Sequence, residues 1–203
     1  MFTFMPLNPS LTEAEQLQQL RSFYARYIPV SDTLWEALLR IRTPLVCGPH
    51  QLLHPAETPF NRMLFVHQGA LKQVLNQGRQ EKIYWFFLEE EWATVYSSFL
   101  TGAPSPYELL TVEPCVLSAF EKADIYQLYQ RFPEMVDFGK QMAELAFIRM
   151  NERTQLFQFM RLRERYRHQL QVRPEYIQRF TNQELASYLG VTPEALSRAK
   201  RNL

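Results

Sequence analysis

Cysteine is scarce in this sequence of 203 residues: there are two, Cys47 and Cys115. They stand far apart in the chain, form no metal-type spacing and imply no disulfide. Both are expected to be buried, inert thiols, and a four-cysteine iron–sulfur centre is excluded on number alone. Glycine is also rare, at six residues. No uninterrupted apolar run reaches the length of a bilayer span, and the first residues lack a basic-then-apolar signal pattern. A cytoplasmic location is the resulting expectation. Nor does one sign of charge dominate, since the formal net charge is +1. What the chain does have is apolar mass: 46% hydrophobic residues, with 15 Phe, 10 Tyr and 3 Trp. That is enough to bury a substantial core in one large or two small domains.

The small net charge hides an asymmetry. From Arg149 onward there are eleven Lys and Arg against five Glu, a local +6, which leaves −5 (+1 minus +6) for the rest. A basic C-terminal quarter on an otherwise acidic chain suits a polyanionic partner at that end only. Many such charges are merely solvated helix faces, so the asymmetry supports a motif and does not define one.

The motif is the stretch from Thr181 to Leu203. Thr181 is an N-cap with Glu184 placed to close a capping box. Leu185, Ala186 and Leu189 form one apolar face at helical spacing. Gly190 sits where a helix ends in a left-handed residue. Thr192 caps the next helix and Pro193 takes its first position, where a missing N–H costs nothing. Leu196 faces back into the pair, while Glu194, Ser197, Arg198, Lys200 and Arg201 can point outward. Any amphipathic helical hairpin could share this pattern. The cap-turn-cap chemistry, small Ala186 and a donor-rich second helix favour a DNA-reading helix-turn-helix. In such a helix an Arg can bond guanine and a Glu can accept from cytosine.

Upstream, residues 11–28 carry Leu17, Leu20, Tyr24 and Tyr27 at helical spacing, and Pro29 stops the helix. Ser31 or Asp32 caps a second helix through Trp35, Leu38, Leu39 and Ile41, closed by Pro44. Between about Thr43 and Glu121 the texture changes to short β-branched and aromatic runs divided by turn residues, as in a β-sandwich or β-roll. Strands are expected at Met63–His67, Ala70–Leu75, Ile83–Leu88, Tyr107–Val112 and Cys115–Phe120, with a turn at Asn76–Gly78. The last two strands are expected to pair across Glu113-Pro114. A short helix follows from Ala123 to Phe132. A long one then runs from Glu134 to about His168, with Met135, Phe138, Met142, Leu145, Leu156 and Phe159 at a coiled-coil-like spacing. One small domain cannot cover that length, which predicts burial against a symmetry mate in a two-fold dimer.

In this order the chain resembles the Crp/Fnr family of bacterial transcription regulators. The resemblance rests chiefly on Phe65-Val-His-Gln-Gly69, on Phe86-Phe-Leu-Glu-Glu-Glu-Trp-Ala93, on Phe132-Pro133 and on Leu185 to Arg198. It implies an α+β fold with N-terminal helices and an antiparallel β-roll (a double-stranded β-helix) over residues 1–132. A long dimerisation helix over 133–168 and a helix-turn-helix domain over 169–203 would follow. It further implies a homodimer that reads palindromic double-stranded DNA, with RNA polymerase as a further partner. Glu194, Ser197 and Arg198 fall where the family carries its reading residues. Thr192, Pro193, Lys200 and Arg201 complete the expected DNA-binding set. Many relatives continue into a β-wing, whereas this sequence ends at Leu203. Arg161 to Arg167, Lys200 and Arg201 are therefore expected to supply part of the phosphate attraction.

The effector site departs from the family pattern. Cyclic-nucleotide binders carry a Gly-Glu-Leu whose acid takes the ribose hydroxyl, then an Arg-Ser/Thr that clamps the phosphate. Here the first element falls on about Thr94-Val95-Tyr96 and the second on about Ser105-Pro106, so both the acid and the arginine are missing. Pro106 also lacks an N–H. The expectation is a degenerate pocket, around Trp92, Thr94, Val95, Tyr96, Ser105 and Pro106, that does not bind cAMP. It is left for an apolar or aromatic ligand, or for the chain's own Trp92, Tyr96 and Phe99. No cofactor or metal is expected: His50 and His54 lie in a Pro-flanked strand-and-turn segment and read as solvated surface histidines, and His67 as an ordinary strand residue. No nucleophile–base constellation points to an enzyme. The alternative to a DNA regulator is a β-roll dimer binding a small molecule or protein, whose terminal helices are only structural.

Overall fold

The computed structural model describes residues 11–77 and 80–201. They divide into two compact units, one formed by Met1–Leu75 with Trp85–Gln141 and the other by Asn76–Tyr84 with Met142–Leu203. The architecture is mixed helix and antiparallel sheet.

The first unit opens with α1 (Glu13–Ala25), capped by a reciprocal box between Thr12 and Glu15, and α2 (Asp32–Ile41), capped by the Ser31 hydroxyl. The strands are β1 (Thr43–Cys47), β2 (Leu52–His54), β3 (Thr58–Pro59), β4 (Arg62–Gln68), β5 (Leu71–Gln77), β6 (Gln80–Phe87), β7 (Trp92–Ala93), β8 (Pro104–Ser105), β9 (Glu108–Thr111) and β10 (Cys115–Glu121). They form two four-stranded sheets in the orders β1-β10-β4-β7 and β2-β9-β5-β6, with β3 and β8 as a separate pair. The short helix α3 (Tyr96–Thr101) lies between β7 and β8, and α4 (Lys122–Arg131) follows β10. Pro44 does not end a helix. It lies within β1, an edge strand, where a missing N–H breaks no ladder. The turn expected at Asn76–Gly78 falls partly outside the described residues; β5 runs through Asn76 to Gln77.

β4 shows how two layers are built from one strand. Its residues 63–67 are all buried, and alternation sends them to opposite faces. Leu64 and Val66 enter the sheet interior with Phe60, Leu71, Phe87, Leu109 and Leu117. Phe65 and His67 face α1 instead. There Phe23, Tyr24, Phe65, Trp92 and Phe138 form an aromatic cluster in which the Tyr24 and Phe138 rings stand 4.4 Å apart. Such pairs add about 1 kcal/mol each beyond area burial.

His67 is one of the most completely enclosed polar groups of this unit. Its Nδ1 lies 2.8 Å from Gln19 Oε1 and its Nε2 2.7 Å from Ser118 Oγ, while Arg42 Nε donates to that same hydroxyl at 2.6 Å. Arg42 also donates to Gln16 Oε1 at 2.8 Å. Since Ser118 Oγ accepts from Arg42, its own proton goes to His67 Nε2, and Nδ1–H donates to Gln19. This tautomer satisfies every member. Burial first, and then the Arg42 charge, push the imidazole down to about 4. His67 is therefore a neutral structural joint between α1, β4 and β10. His54 likewise departs from a solvated surface role: it is buried against Phe60, with Nε2 3.1 Å from the Thr58 carbonyl. His50 is exposed, at φ 56°.

Two further expectations, the β9–β10 pairing and the extent of the long helix, are corrected. β9 and β10 do not pair: β9 pairs with β2 and β5, and β10 with β1 and β4. A two-residue hairpin turn needs positive φ, which Pro114 cannot adopt, so the chain crosses between sheets there. The two cysteines, far apart in sequence, are directly opposed partners on β1 and β10, and both are buried and free. The long helix does not reach His168. α5 (Pro133–Phe159) ends, and α6 (Leu162–Val172) begins after Arg161, whose N–H is accepted by the Glu164 carboxylate at 2.7 Å. That local cap satisfies a helix start within what had looked like a continuous run.

The stripe on α5 also divides. Met135 and Phe138 are buried in the first unit, where Phe138 belongs to the aromatic cluster, so this end of the helix packs on its own chain. Farther along, Phe147 and Phe159 are 73% and 78% exposed, with Ile148 also open.

Candidate nucleic-acid interface

In the second unit, α6 leads through α7 (Pro174–Arg179) to α8 (Asn182–Tyr188) and α9 (Pro193–Arg201). Thr181 Oγ1 accepts from Glu184 N–H, and the Glu184 carboxylate accepts from Thr181 N–H at 3.0 Å, completing the expected capping box. Gly190 adopts φ +70°, and a Cβ there would stand 2.9 Å from the Phe157 ring. The turn thus needs glycine both for its conformation and for its space. Val191 N–H returns to the Ala186 carbonyl. Thr192 Oγ1 accepts from Ala195 N–H at 3.2 Å, and Pro193 starts α9. Leu185, Ala186, Leu189, Leu196 and Ala199 are buried, so small residues let the two helices approach.

The opposite face of α9 is open. Glu194, Ser197, Arg198 and Arg201 are all exposed, and their spacing of three, one and three places them in one stripe. Hydrogen bonds from its own N–H and from Thr192 hold the Glu194 carboxyl below the usual carboxylate range, aided by Arg198. Lys200 departs from the expected outward set. Its Nζ donates to Asn182 Oδ1 at 2.8 Å and lies 5.6 Å from the Tyr166 ring, so it fastens α9 to α8 and α6. Asn182 completes the strap by donating to the Pro193 carbonyl at 3.2 Å and to Ser197 Oγ at 3.3 Å. Sequence reasoning missed Asn182. An Asn beside an N-cap carries no one-dimensional sign of a cross-helix role.

The basic run at 161–167 divides in the same way. Arg161, Arg163 and Arg167 line a cleft of about 650 Å³ together with Arg198, Ala195 and Ala199. Arg165 turns instead to the Phe157 ring, at 4.8 Å, with its Nε buried and without a hydrogen-bond partner among the described residues. Arg153 stacks on the same ring at 4.6 Å and on Tyr188 at 4.4 Å. The tip of the β5–β6 hairpin also meets α8: Ser187 Oγ accepts from Ile83 N–H and donates to the Glu81 carbonyl, both at 2.9 Å.

The residues expected around the effector pocket sit in the first unit. Thr94 is buried and donates to the Arg62 carbonyl, and Val95 belongs to the sheet-interior core. Trp92 is drawn into the aromatic cluster with Phe23, Tyr24 and Phe138. Tyr96, half-buried, opens α3, and Phe99 is buried within it. Ser105 is buried, with its hydroxyl bonded to the backbone of Tyr107 and its carbonyl to Glu57 N–H. Pro106 is exposed. Residues 94–106 contain no charged side chain at all. A buried phosphodiester needs a cation and backbone donors, and this segment supplies no cation.

Residues 46–132 match the cyclic nucleotide-binding domain family. No curated protein matches the sequence. Among solved structures, FixK2 from Bradyrhizobium japonicum superposes with a TM-score of 0.68 at 15% identity, over 80% of this chain and 84% of that one. The c-di-GMP responsive global regulator CLP of Xanthomonas campestris gives 0.65 at 18%, over 82% and 88%. A CooA mutant from Carboxydothermus hydrogenoformans gives 0.67 at 12%, over 81% and 77%. At such identities the likeness is one of fold. Among the described residues, no helix is long and apolar enough to cross a membrane, and no group of three or more His, Cys, Asp or Glu could hold a metal ion.

Proposed function

We propose that this protein is a sequence-specific DNA-binding transcription regulator, working as a homodimer, whose β-roll does not take up cyclic nucleotide. The observation that carries the reading is the open stripe of Glu194, Ser197, Arg198 and Arg201 on a helix whose other face is buried. A groove-reading helix needs that division, with donors outward on a rigid support. On this reading α8 and α9 are the helix-turn-helix, and Arg198 bonds a guanine edge. Lys200 holds the reading helix in place and leaves base contact to its neighbours. The exposed Phe147, Ile148 and Phe159 on α5 are the surface for the second copy, since large aromatic side chains are seldom left in water without a partner. Two copies would present two reading helices to half-sites about one helical turn apart.

The test is enrichment of a random duplex library by the purified protein. An inverted repeat with G·C in each half-site is expected, and Arg198→Ala should cost about 1–3 kcal/mol at that base pair. Failure to enrich any repeat, or an enriched repeat indifferent to Arg198, would overturn the proposal. Titration calorimetry with cAMP and cGMP should show no heat of binding. Light scattering should give a dimer that Phe147→Glu, Phe159→Glu dissociates.

A further inference from the structure

The cleft between α6 and α9 is not explained by base reading. Its walls carry four guanidinium groups, from Arg161, Arg163, Arg167 and Arg198, and one carboxylate, Glu164. That carboxylate is already engaged by the Arg161 N–H. The side chains of Arg163 and Arg167 are exposed, and among the described residues they form no ion pair or hydrogen bond. The floor is made low by Ala195 and Ala199, so a ligand can reach the helix surface between the arginines. The first turn of α6 opens at the same cleft and adds the partial positive charge of a helix start. Four guanidinium groups drawn together against a single carboxylate in the cleft repel one another in the isolated chain. They are relieved by a ligand that brings several negative charges at fixed intervals.

Resting on the DNA-binding reading above, we propose that this cleft is a phosphate-binding site for the duplex backbone, separate from the base-reading stripe. Arg198 borders both surfaces, so the seated phosphates lie on the strand flanking the groove that α9 enters. Arg163 and Arg167, one helical turn apart on α6, each neutralise a phosphate. They set how deeply the reading helix sits and contribute no base preference. Arg165, two residues from each of them, is excluded from this role because it is turned to Phe157.

Fluorescence anisotropy with a labelled duplex of the enriched sequence and a scrambled one, across a range of salt, tests the assignment. The double variant Arg163→Ala, Arg167→Ala should reduce the slope of log K against log salt by about 2, near 0.9 for each phosphate lost. It should weaken both duplexes by the same factor and leave the enriched sequence unchanged. Arg198→Ala should instead narrow the gap between the two duplexes. An unaltered slope in the double variant overturns the cleft assignment even if DNA binding stands. Loss of preference with an unaltered slope also overturns it. If the wild type holds neither duplex, the DNA reading fails. In that case, binding of inorganic polyphosphate that the double variant loses would reassign the cleft to a free polyanion, and no such binding would remove the site altogether. Circular dichroism of both variants checks that the exposed substitutions leave the fold intact.

Discussion

Acid should weaken this fold through His67 before its carboxylates are protonated. The imidazole is 1% exposed and is held at about 4, while in the unfolded chain it titrates near 6.5. Because the folded value is depressed, the stabilisation is complete above pH 6.5 and is lost as pH falls from there towards 4. At 1.36 kcal/mol for each pH step, the whole gap is worth about 3 kcal/mol, and about 2 kcal/mol of it is gone by pH 5. The structural reason is that a protonated ring must donate from both nitrogens. Ser118 Oγ already accepts from Arg42 and would lose its own acceptor on His67. Urea unfolding of the wild type and of His67→Gln between pH 7.5 and 5 is the assay. The variant should be less stable throughout the upper range, where it loses the ring's packing and bonds. The difference between the two proteins should shrink by about 2 kcal/mol at pH 5. A difference that stays constant across this range would mean that His67 is not held neutral and that Ser118 Oγ does not donate to its Nε2.

Two glycines allow conformation to be separated from crowding. Gly102 has φ +74° with nothing within 4 Å of a built Cβ, whereas Gly190 has φ +70° with Phe157 at 2.9 Å. Gly102→Ala should cost about 1 kcal/mol in thermal unfolding, the left-handed penalty alone, and Gly190→Ala about 2–3 kcal/mol. Equal losses would refute the crowding at the α8–α9 turn. Burial raises the Cys47 thiol and pushes that of Cys115 up to about 12. A disulfide reagent at pH 7.5 should therefore titrate neither thiol in the native protein over minutes and both after denaturation. Rapid native labelling of either one would contradict the enclosed β1–β10 pairing.

Local chemistry made much of the fold legible in the sequence. Thr181 with Glu184, and Gly190 before Thr192-Pro193, are rules satisfied within a few residues, and the structure forms each of them. The strands at 63–67 and 83–88 were visible as β-branched and aromatic runs, because such residues fit a buried pleat. Pairing was harder, since it depends on residues distant in the chain. Cys115–Phe120 forms the expected strand, but its neighbours are Thr43–Cys47, about seventy positions earlier, and Arg62–Gln68. The end of α5 was missed for a different reason. Arg161 and Glu164 make a helix start without Gly, Pro or a hydroxyl residue, so no breaker marks the boundary.

The candidate site divides along the same line between local and non-local signals. That Glu194, Ser197 and Arg198 would point outward followed from 3.6-residue periodicity once Leu196 was taken as the inward residue, and their exposure agrees. Lys200 shows where periodicity stops being informative. It lies on the flank of the helix, and whether such a side chain meets water or a neighbour is decided by what the neighbour offers. Here Asn182 and the Tyr166 ring capture it. The arginines of α6 make the same point in reverse. As a run they looked uniform, yet alternate positions on a helix point far apart, so Arg163 and Arg167 share the cleft while Arg165 lies against Phe157. Sequence could therefore state how much positive charge this end carries. Only the fold could say which part of it is free to meet a polyanion, and that distribution, more than the total of +6, is what a phosphate backbone would read.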